Sequence, residues 1–232
     1  MELHQWTPLC ADGSVLGLKY SFGFGTANTM AARLDDGSWM VVSPACRAPD
    51  SVLEHLAGQG GVSALVAPNA YHHLGQAAWR KRFPAAVSYA PEGAWARLAK
   101  QSPGIAYQGI GALAAKAGDR IALVEPAGQK APDLVVRVRT ADDAHLWFVG
   151  DLISNTVASD VAFLPLLVMR LFGGGPGYRF NPLPALVYLK DKVAWKADVR
   201  ARLAAQPPSV VLPAHGKPVS HDAAAQSAAI LA

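Results

Sequence analysis

Four side chains in this sequence have the chemistry of metal ligands, and each follows a short run of residues typical of a strand. His72 and His73 stand together in APNAYHHLG (67–75), Asp151 follows HLWFVG (145–150), and His215 lies in the residues after SVVLP (209–213). Adjacent side chains on a helix or strand diverge, whereas on an irregular loop both can turn toward one ion. The histidine pair therefore predicts a loop that carries ligands.

The residue types favour particular metals. Imidazole nitrogens with one carboxylate suit Zn²⁺ or Fe²⁺, while Ca²⁺ and Mg²⁺ prefer shells of oxygen atoms. Three neutral ligands and one anion also leave room for a bound water. Two alternatives without a metal stay open: Asp151 could cap a helix formed by the residues after it, or the histidines and Asp151 could hydrogen-bond one another in an empty polar pocket.

The elements that must position these side chains alternate between strands and helices. Strand patterns lie at residues 15–22, 29–34, 38–43, 63–67, 86–90, 121–125, 133–140, 145–150 and 209–213, the first three forming an antiparallel meander. Helix patterns lie at residues 49–61, 74–83, 94–100, 190–206 and 221–232. No low-complexity linker divides the chain. We therefore expect residues 1–232 to form one α/β domain in which helices cover two sheets.

Composition and charge exclude several classes of protein. Hydrophobic residues make up 51% of the chain, which is ample for a core, but no apolar stretch is long enough to span a membrane. The start of the chain has no secretory pattern, so we expect a cytoplasmic protein. Cys10 and Cys46 are predicted to be reduced thiols. The net charge of +4 comes from scattered residues, so we expect a small-molecule partner and no nucleic acid.

One apolar segment has no obvious place in this pattern. Residues 158–182 combine an apolar helix pattern, interrupted near Pro165, with a GGGPG sequence and aromatic residues. The segment could be a hydrophobic lid or pocket wall, or a surface for self-association through residues 161–172. It could equally be an ordinary buried helix followed by a glycine-rich loop.

The order of these motifs resembles the metallo-β-lactamase fold superfamily. A His-rich loop after a strand, a strand ending in FVGD (148–151) and a last strand ending in PAHG (213–216) occur in the same order there, and PAGQKAPD (126–133) stands where that superfamily has a Pro-Gly-His turn. The likeness covers nearly the whole chain and is greatest to a branch of unassigned activity. It implies a four-layer αββα sandwich with the metal site at one edge of the two sheets.

The departures from the superfamily pattern predict a single metal. Aligning the last histidine of the His-x-His-x-Asp-His motif with His73 puts Pro68 and Ala70 at the first two histidines, and Gln129 falls near the histidine of the Pro-Gly-His turn. The first metal site is therefore expected to be lost. The second site keeps residues that can coordinate, and the resemblance implies one Zn²⁺ or Fe²⁺ per chain bound by His72, His73, Asp151 and His215.

The resemblance implies hydrolysis of an ester, a lactone or a thioester. In that case Asp151 would be a ligand or a proton acceptor, and Tyr71 and Tyr178 are candidate donors to a developing oxyanion. Since half of a dinuclear centre is missing, a protein that keeps the fold only to bind a small molecule is the alternative. The sequence names no substrate for either function.

Overall fold

The first sheet is built from the N-terminal half of the chain in this computed structural model, which describes residues 1–232. Its seven strands lie in chain order: β1 (Thr7–Pro8), β2 (Val15–Ser21), β3 (Thr26–Arg33), β4 (Trp39–Val42), β5 (Val62–Val66), β6 (Val87–Tyr89) and β7 (Tyr107–Gln108). β1 to β4 pair antiparallel, and β4 to β7 pair parallel. The predicted antiparallel meander is confirmed.

The second sheet is built from the C-terminal half. It contains β8 (Ile121–Val124), β9 (Val135–Arg139), β10 (His145–Val149) and β13 (Pro208–Pro213), in the order β13-β10-β9-β8. A small antiparallel sheet of β11 (Ile153–Thr156) and β12 (Gly177–Phe180) lies between β10 and β13 in the chain. β10 and β13 are parallel, with Val149 opposite Pro213, so their C-terminal ends lie side by side.

The helices divide into groups that cover the sheets. They are α1 (Asp50–Ala57), α2 (Gln76–Arg82), α3 (Trp95–Gln101), α4 (Ile110–Ala117), α5 (Phe163–Leu171), α6 (Pro182–Tyr188), α7 (Lys192–Ala205) and α8 (Ala223–Leu231). α1 and α2 pack on the first sheet, and α7 and α8 pack on the second. None of these helices is long and apolar enough to cross a membrane.

The alternation of side chains along each strand explains the layers. In β4, Met40 and Val42 point into the core between the sheets, while Trp39 and Val41 point toward α1 and α2. A strand that is buried on both faces needs apolar residues at every position, which is why WMVV is apolar throughout. Helix, sheet, sheet and helix thus form the predicted four-layer αββα sandwich, and this prediction is confirmed.

Several elements differ from those that the sequence patterns predict. α4, α6, β11 and β12 have no predicted counterpart, and β11 takes the place of a helix that Asp151 could have capped. Pro165 does not interrupt α5, because it lies in the first turn, where a backbone N–H has no acceptor within the helix. No residue of α5 is buried, so the interpretation of this segment as an ordinary core helix is wrong.

Candidate metal centre

Strand ends bring three of the four predicted ligands together. His72 lies in the loop after β5, Asp151 follows β10, and His215 follows β13. The Oδ1 atom of Asp151 lies 2.9 Å from Nε2 of His72 and 3.2 Å from Nε2 of His215. The three potential ligand atoms lie within 4.8 Å of one another. Two sheets therefore converge on one small group of nitrogen and oxygen donors.

The orientation of His215 fits a bound cation. Its Nδ1 lies 2.8 Å from the carbonyl oxygen of Thr26 and must donate a proton there. The neutral ring then directs the lone pair of Nε2 at the Asp151 carboxylate, and a cation or a second proton must separate the two. Burial lowers the pKa of His215, but the hydrogen bond and charge of Asp151 raise it above its usual value. A backbone carbonyl on the distal nitrogen is typical of histidines that bind metals.

A backbone distortion orients His72. Its Nδ1 lies 2.8 Å from Oγ of Ser43, whose other neighbour is the buried hydroxyl of Tyr20 at 3.2 Å. Ser43 is fully buried and has a φ of 55°, a left-handed conformation that costs free energy for a residue with a side chain. The distortion directs the Ser43 hydroxyl at the imidazole and so fixes the ring plane.

Asp151 is held on both sides of its carboxylate. Its Oδ2 accepts hydrogen bonds from the Tyr188 hydroxyl at 2.6 Å and from the Asn69 amide at 3.1 Å, while Oδ1 faces the histidines. Burial would raise the pKa of Asp151, but the nearby His72 and His215 lower it well below its usual value. The carboxylate is therefore an anion in a fixed position, as a metal ligand needs to be.

Asn69 is a site residue that the sequence patterns do not single out. Its Oδ1 accepts from the backbone N–H groups of Tyr71 (2.8 Å) and His72 (3.0 Å), and its Nδ2 donates to Asp151 and to Asp133 at 2.8 Å. An asparagine after a proline is a common turn signal, since its side chain can replace a backbone acceptor. Here the same amide shapes the histidine loop and joins two carboxylates.

Asp133 is a second buried carboxylate that the sequence patterns do not predict. Burial and the charge of Asp151 raise its pKa to about 8. Its carboxylate would overlap a Cβ at position 150, which explains why glycine precedes Asp151. Gln129, which stands near the superfamily's third histidine, bonds the backbone of Asp133 at both N–H and C=O, each at 2.9 Å. Gln129 thus holds the loop and does not face the three potential ligands.

His73 lies apart from the other three predicted ligands. Its Nδ1 lies 2.6 Å from Oγ of Ser102, and the side-chain amide of Gln101 can donate to its Nε2 at 3.0 Å. Burial lowers the pKa of His73. Both ring nitrogens are therefore engaged by residues at the end of α3, and the arrangement brings His72 but not His73 to Asp151.

The two predicted oxyanion donors have different positions. Tyr71 lines the cavity above the site, with its ring 4.2 Å from the Arg97 guanidinium carbon and edge-on to Tyr188. Tyr178 points away, because its hydroxyl lies 2.7 Å from Oγ of Ser227 on α8. Only Tyr71 lies where a substrate in the cavity could contact it.

A cavity of about 700 Å³ opens above the three ligands. Its floor contains His72, Asp151 and His215, and its walls are mainly apolar, with contributions from α5, α6 and the turn between β2 and β3 (Pro165, Met169, Leu183, Val187, Phe22, Phe24). A concave apolar site with a few convergent polar groups is the usual form of a small-molecule site. The apolar segment thus supplies a pocket wall, one of the roles that its composition allows.

Solved metallo-β-lactamases have the same fold as this chain. The DIM-1 metallo-β-lactamase aligns with a TM-score of 0.63 over 98% of this chain and 96% of its own, at 12% identity. The enzymes from Pontibacter korlensis and Hirschia baltica align with TM-scores of 0.60 and 0.59, each at 13% identity and over 98% of this chain. No family model and no curated protein sequence matches the chain.

These alignments define the class of protein by its fold. The chain has the metallo-β-lactamase fold over nearly its whole length, and its candidate metal centre lies at the ends of strands from both sheets. The particular activity depends on the centre itself, because one fold supports many reactions.

Proposed function

We propose that this protein is a mononuclear metal-dependent hydrolase that acts on an ester, a lactone or a thioester in an apolar pocket. The observation that carries the proposal is the orientation of His215. Its Nδ1 donates to the carbonyl oxygen of Thr26, so its Nε2, which lies 3.2 Å from the anionic Asp151 on the cavity floor, has to share a cation or a proton with that carboxylate. A cation shared with His72 satisfies all three groups at once.

The proposal includes one metal per chain. Pro68 and Ala70 have no side chain that coordinates, and the Gln129 amide is already bonded to the backbone of Asp133. Asp133 itself is bonded to Asn69 and to the N–H of Leu152. The side of the site where a second ion would need ligands is therefore occupied by a hydrogen-bonded clamp. Two imidazoles and a carboxylate favour Zn²⁺ or Fe²⁺.

When bound, such an ion supplies Lewis acidity and an activated water near neutral pH. The protein's own residues position the metal ligands and shape the cavity. Thr26 and Ser43 orient the two imidazoles, Tyr188 and Asn69 hold Asp151, and residues of α5 and α6 give the cavity its apolar wall. In this proposal the Tyr71 hydroxyl donates to the substrate's carbonyl oxygen as negative charge develops there.

Metal analysis combined with a substrate panel tests the proposal. Protein that has been stripped with a chelator and reloaded with Zn²⁺ or Fe²⁺ should hold one ion per chain and hydrolyse members of an ester, lactone and thioester panel with apolar acyl groups. His215→Ala should lose both the metal and the turnover. Two ions per chain, or turnover that survives complete metal removal, would overturn the assignment.

A second candidate function is binding of a small molecule without catalysis. The observation that favours it is that Asp151 has hydrogen-bond partners on both oxygens, so the carboxylate at the candidate metal centre is not free to act as a general base. This function predicts that apolar acyl compounds raise the melting temperature of metal-loaded protein while no product forms. Turnover of any compound that stabilises the protein would reject this candidate.

A further inference from the structure

The outer face of α5 is apolar and exposed to solvent. Phe163, Leu171 and Leu164 are 81%, 75% and 67% exposed. In a monomeric soluble protein this side of a surface helix normally carries polar residues. The large exposed hydrophobic residues on the helix and its C-terminal end are Phe163, Leu164, Leu167, Val168, Leu171 and Phe172.

The two apolar faces of α5 have different neighbours. At about 100° per residue, Phe163, Leu167 and Leu171 form one stripe, whereas Pro165 and Met169 lie on the other side of the helix and line the cavity. The cavity accounts for the inner face. The outer face has no partner within the chain, and its apolar residues are not needed to build the wall.

This apolar surface continues around the mouth of the cavity. On α6, Leu186 is 65% exposed and Val187 is 43% exposed, and Phe24 in the turn between β2 and β3 is 63% exposed. The backbone N–H of Ala162 donates to the carbonyl of Phe24 at 3.0 Å, so this turn is joined to the start of α5. We call the exposed apolar residues of α5, α6 and this turn the rim.

Basic side chains lie beside the rim. Residues 161–196 contain five basic side chains and a single acidic one, Asp191, whose carboxylate caps α7. A recess of about 380 Å³ on the other side of α6 is lined by Lys130, Lys190 and Lys192 together with Leu186, and no acidic residue lines it. None of these three lysines forms a salt bridge.

We propose that the rim docks on the surface of an anionic lipid bilayer. Apolar side chains on a short surface helix enter the boundary between head groups and acyl chains, and neighbouring lysines gain free energy from anionic head groups. A second copy of the chain fits the face less well. A two-fold dimer places identical surfaces together and would therefore bring the two lysine clusters toward each other without acidic partners.

Docking on a bilayer would also give the proposed hydrolase a substrate class. This consequence, unlike the docking itself, rests on the proposed function. With the rim on a bilayer, the mouth of the cavity opens at the lipid surface. The cavity would then receive a lipophilic acyl compound from the membrane. Docking itself needs no metal, so it can be measured on protein stripped by a chelator, and its failure would leave the hydrolase proposal standing.

Vesicle flotation tests the docking. Metal-free protein should float with vesicles of phosphatidylcholine and phosphatidylglycerol, and much less with phosphatidylcholine alone. Leu171→Ser should lower the partition coefficient by about tenfold, as expected for one leucine leaving an apolar environment. The matched control is Leu3→Ser, the same change at a leucine that is 47% exposed and does not belong to the rim; it should leave binding unchanged.

A charge reversal and a fluorescence probe complete the design. Lys190→Glu with Lys192→Glu should abolish the preference for anionic vesicles, whereas Lys81→Glu with Lys100→Glu, of equal net charge on α2 and α3, should keep it. Leu171→Trp should still bind, with a blue shift of the added tryptophan emission. The proposal is overturned if wild type does not float with anionic vesicles, if both lysine pairs act alike, or if Leu171→Ser changes only the mass measured by light scattering.

Discussion

The two sides of the Asp151 carboxylate have different roles. On the Oδ1 side, His72 and His215 present imidazole nitrogens whose distal atoms are fixed by Ser43 and Thr26. We call this the ligand side. On the Oδ2 side, which we call the clamp side, Asn69, Tyr188 and the neighbouring Asp133 form a hydrogen-bonded network that includes Gln129. One carboxylate thus belongs both to a candidate metal centre and to a structural network.

The difference shows how neutral side chains can hold buried carboxylates in place. A buried polar group without a partner costs about 1–3 kcal/mol, so carboxylates that face no metal ligand need hydrogen-bond donors. The Asn69 amide donates to both carboxylates, and the Gln129 amide holds the backbone of Asp133. We therefore expect substitutions on the ligand side to change metal binding, and substitutions at Asp133 on the clamp side to change stability; Tyr188 also bonds the ligand Asp151, so its substitution should change metal affinity to a smaller extent.

The largest expected effect is on the ligand side. His215→Ala and Asp151→Asn should reduce metal occupancy to near zero, because each removes one of only three protein ligands. His72→Ala should do the same, whereas His72→Asp restores a carboxylate that can coordinate and should retain one ion. Elemental analysis after dialysis measures the occupancy. Retention of one ion by both His72→Ala and His72→Asp would show that His72 is not a ligand.

The next effect concerns Asp133 on the clamp side. Asp133→Ala should lower the free energy of unfolding by about 2–4 kcal/mol, since it leaves one N–H of the Asn69 amide and the N–H of Leu152 without acceptors in a buried position. Asp133→Asn keeps an acceptor oxygen and should cost less. Urea unfolding of metal-free protein gives both values. An equal loss in the two variants would mean that the acceptor oxygen that asparagine keeps contributes nothing, and it would contradict this explanation.

A comparison of Asp133→Asn with wild type gives a pH test. The folded pKa of Asp133 is about 8, above the ordinary value of 3.8, so the folded state binds the proton more tightly than the unfolded state. The resulting stability is complete below pH 3.8 and is lost as the pH rises toward 8. Asparagine does not titrate, so Asp133→Asn does not lose this stability. The free energy of unfolding of Asp133→Asn relative to that of wild type should therefore rise as the pH rises from 3.8 to about 8.

A smaller effect on metal affinity is expected at Tyr188, which belongs to the clamp side and bonds the ligand Asp151. Tyr188→Phe removes the 2.6 Å hydrogen bond to Oδ2 of Asp151 and leaves the ring in place. We expect metal affinity to fall about tenfold, as is common when an outer hydrogen bond to a ligand is lost. Titration of stripped protein against a competing chelator measures this. Tyr178→Phe is the matched control, since its hydroxyl bonds Ser227 on α8, and it should leave affinity unchanged.

The smallest expected effect is that of His73. His73→Ala should keep one ion per chain and lower the free energy of unfolding by about 1 kcal/mol through the lost bond to Ser102. Metal content and urea unfolding of the same preparation give both results. Loss of the metal in this variant would instead support the ligand role that the superfamily pattern assigns to His73.

Much of the fold was predictable because its signals are local. The apolar runs of β4 and β5, the helix pattern of α7, and the DDG turn before β4 depend on neighbours along the chain. Elements with weak or mixed signals were missed. α6 begins with PLP, and β12 follows a glycine-rich stretch, so both form only because the surrounding fold gives them partners.

The sequence by itself determined which residues could bind a metal and at which strand ends they lie, because residue type and strand position are read directly along the chain. Only the tertiary structure decided which of them meet. His72 and His73 are neighbours in the chain, yet one contacts Asp151 and the other Ser102. Asn69, Asp133 and Tyr188 come from separate loops and helices, and no local pattern relates them. Their partnership arises from burial, because a polar group that is brought into the interior costs free energy unless it finds a hydrogen-bond partner there.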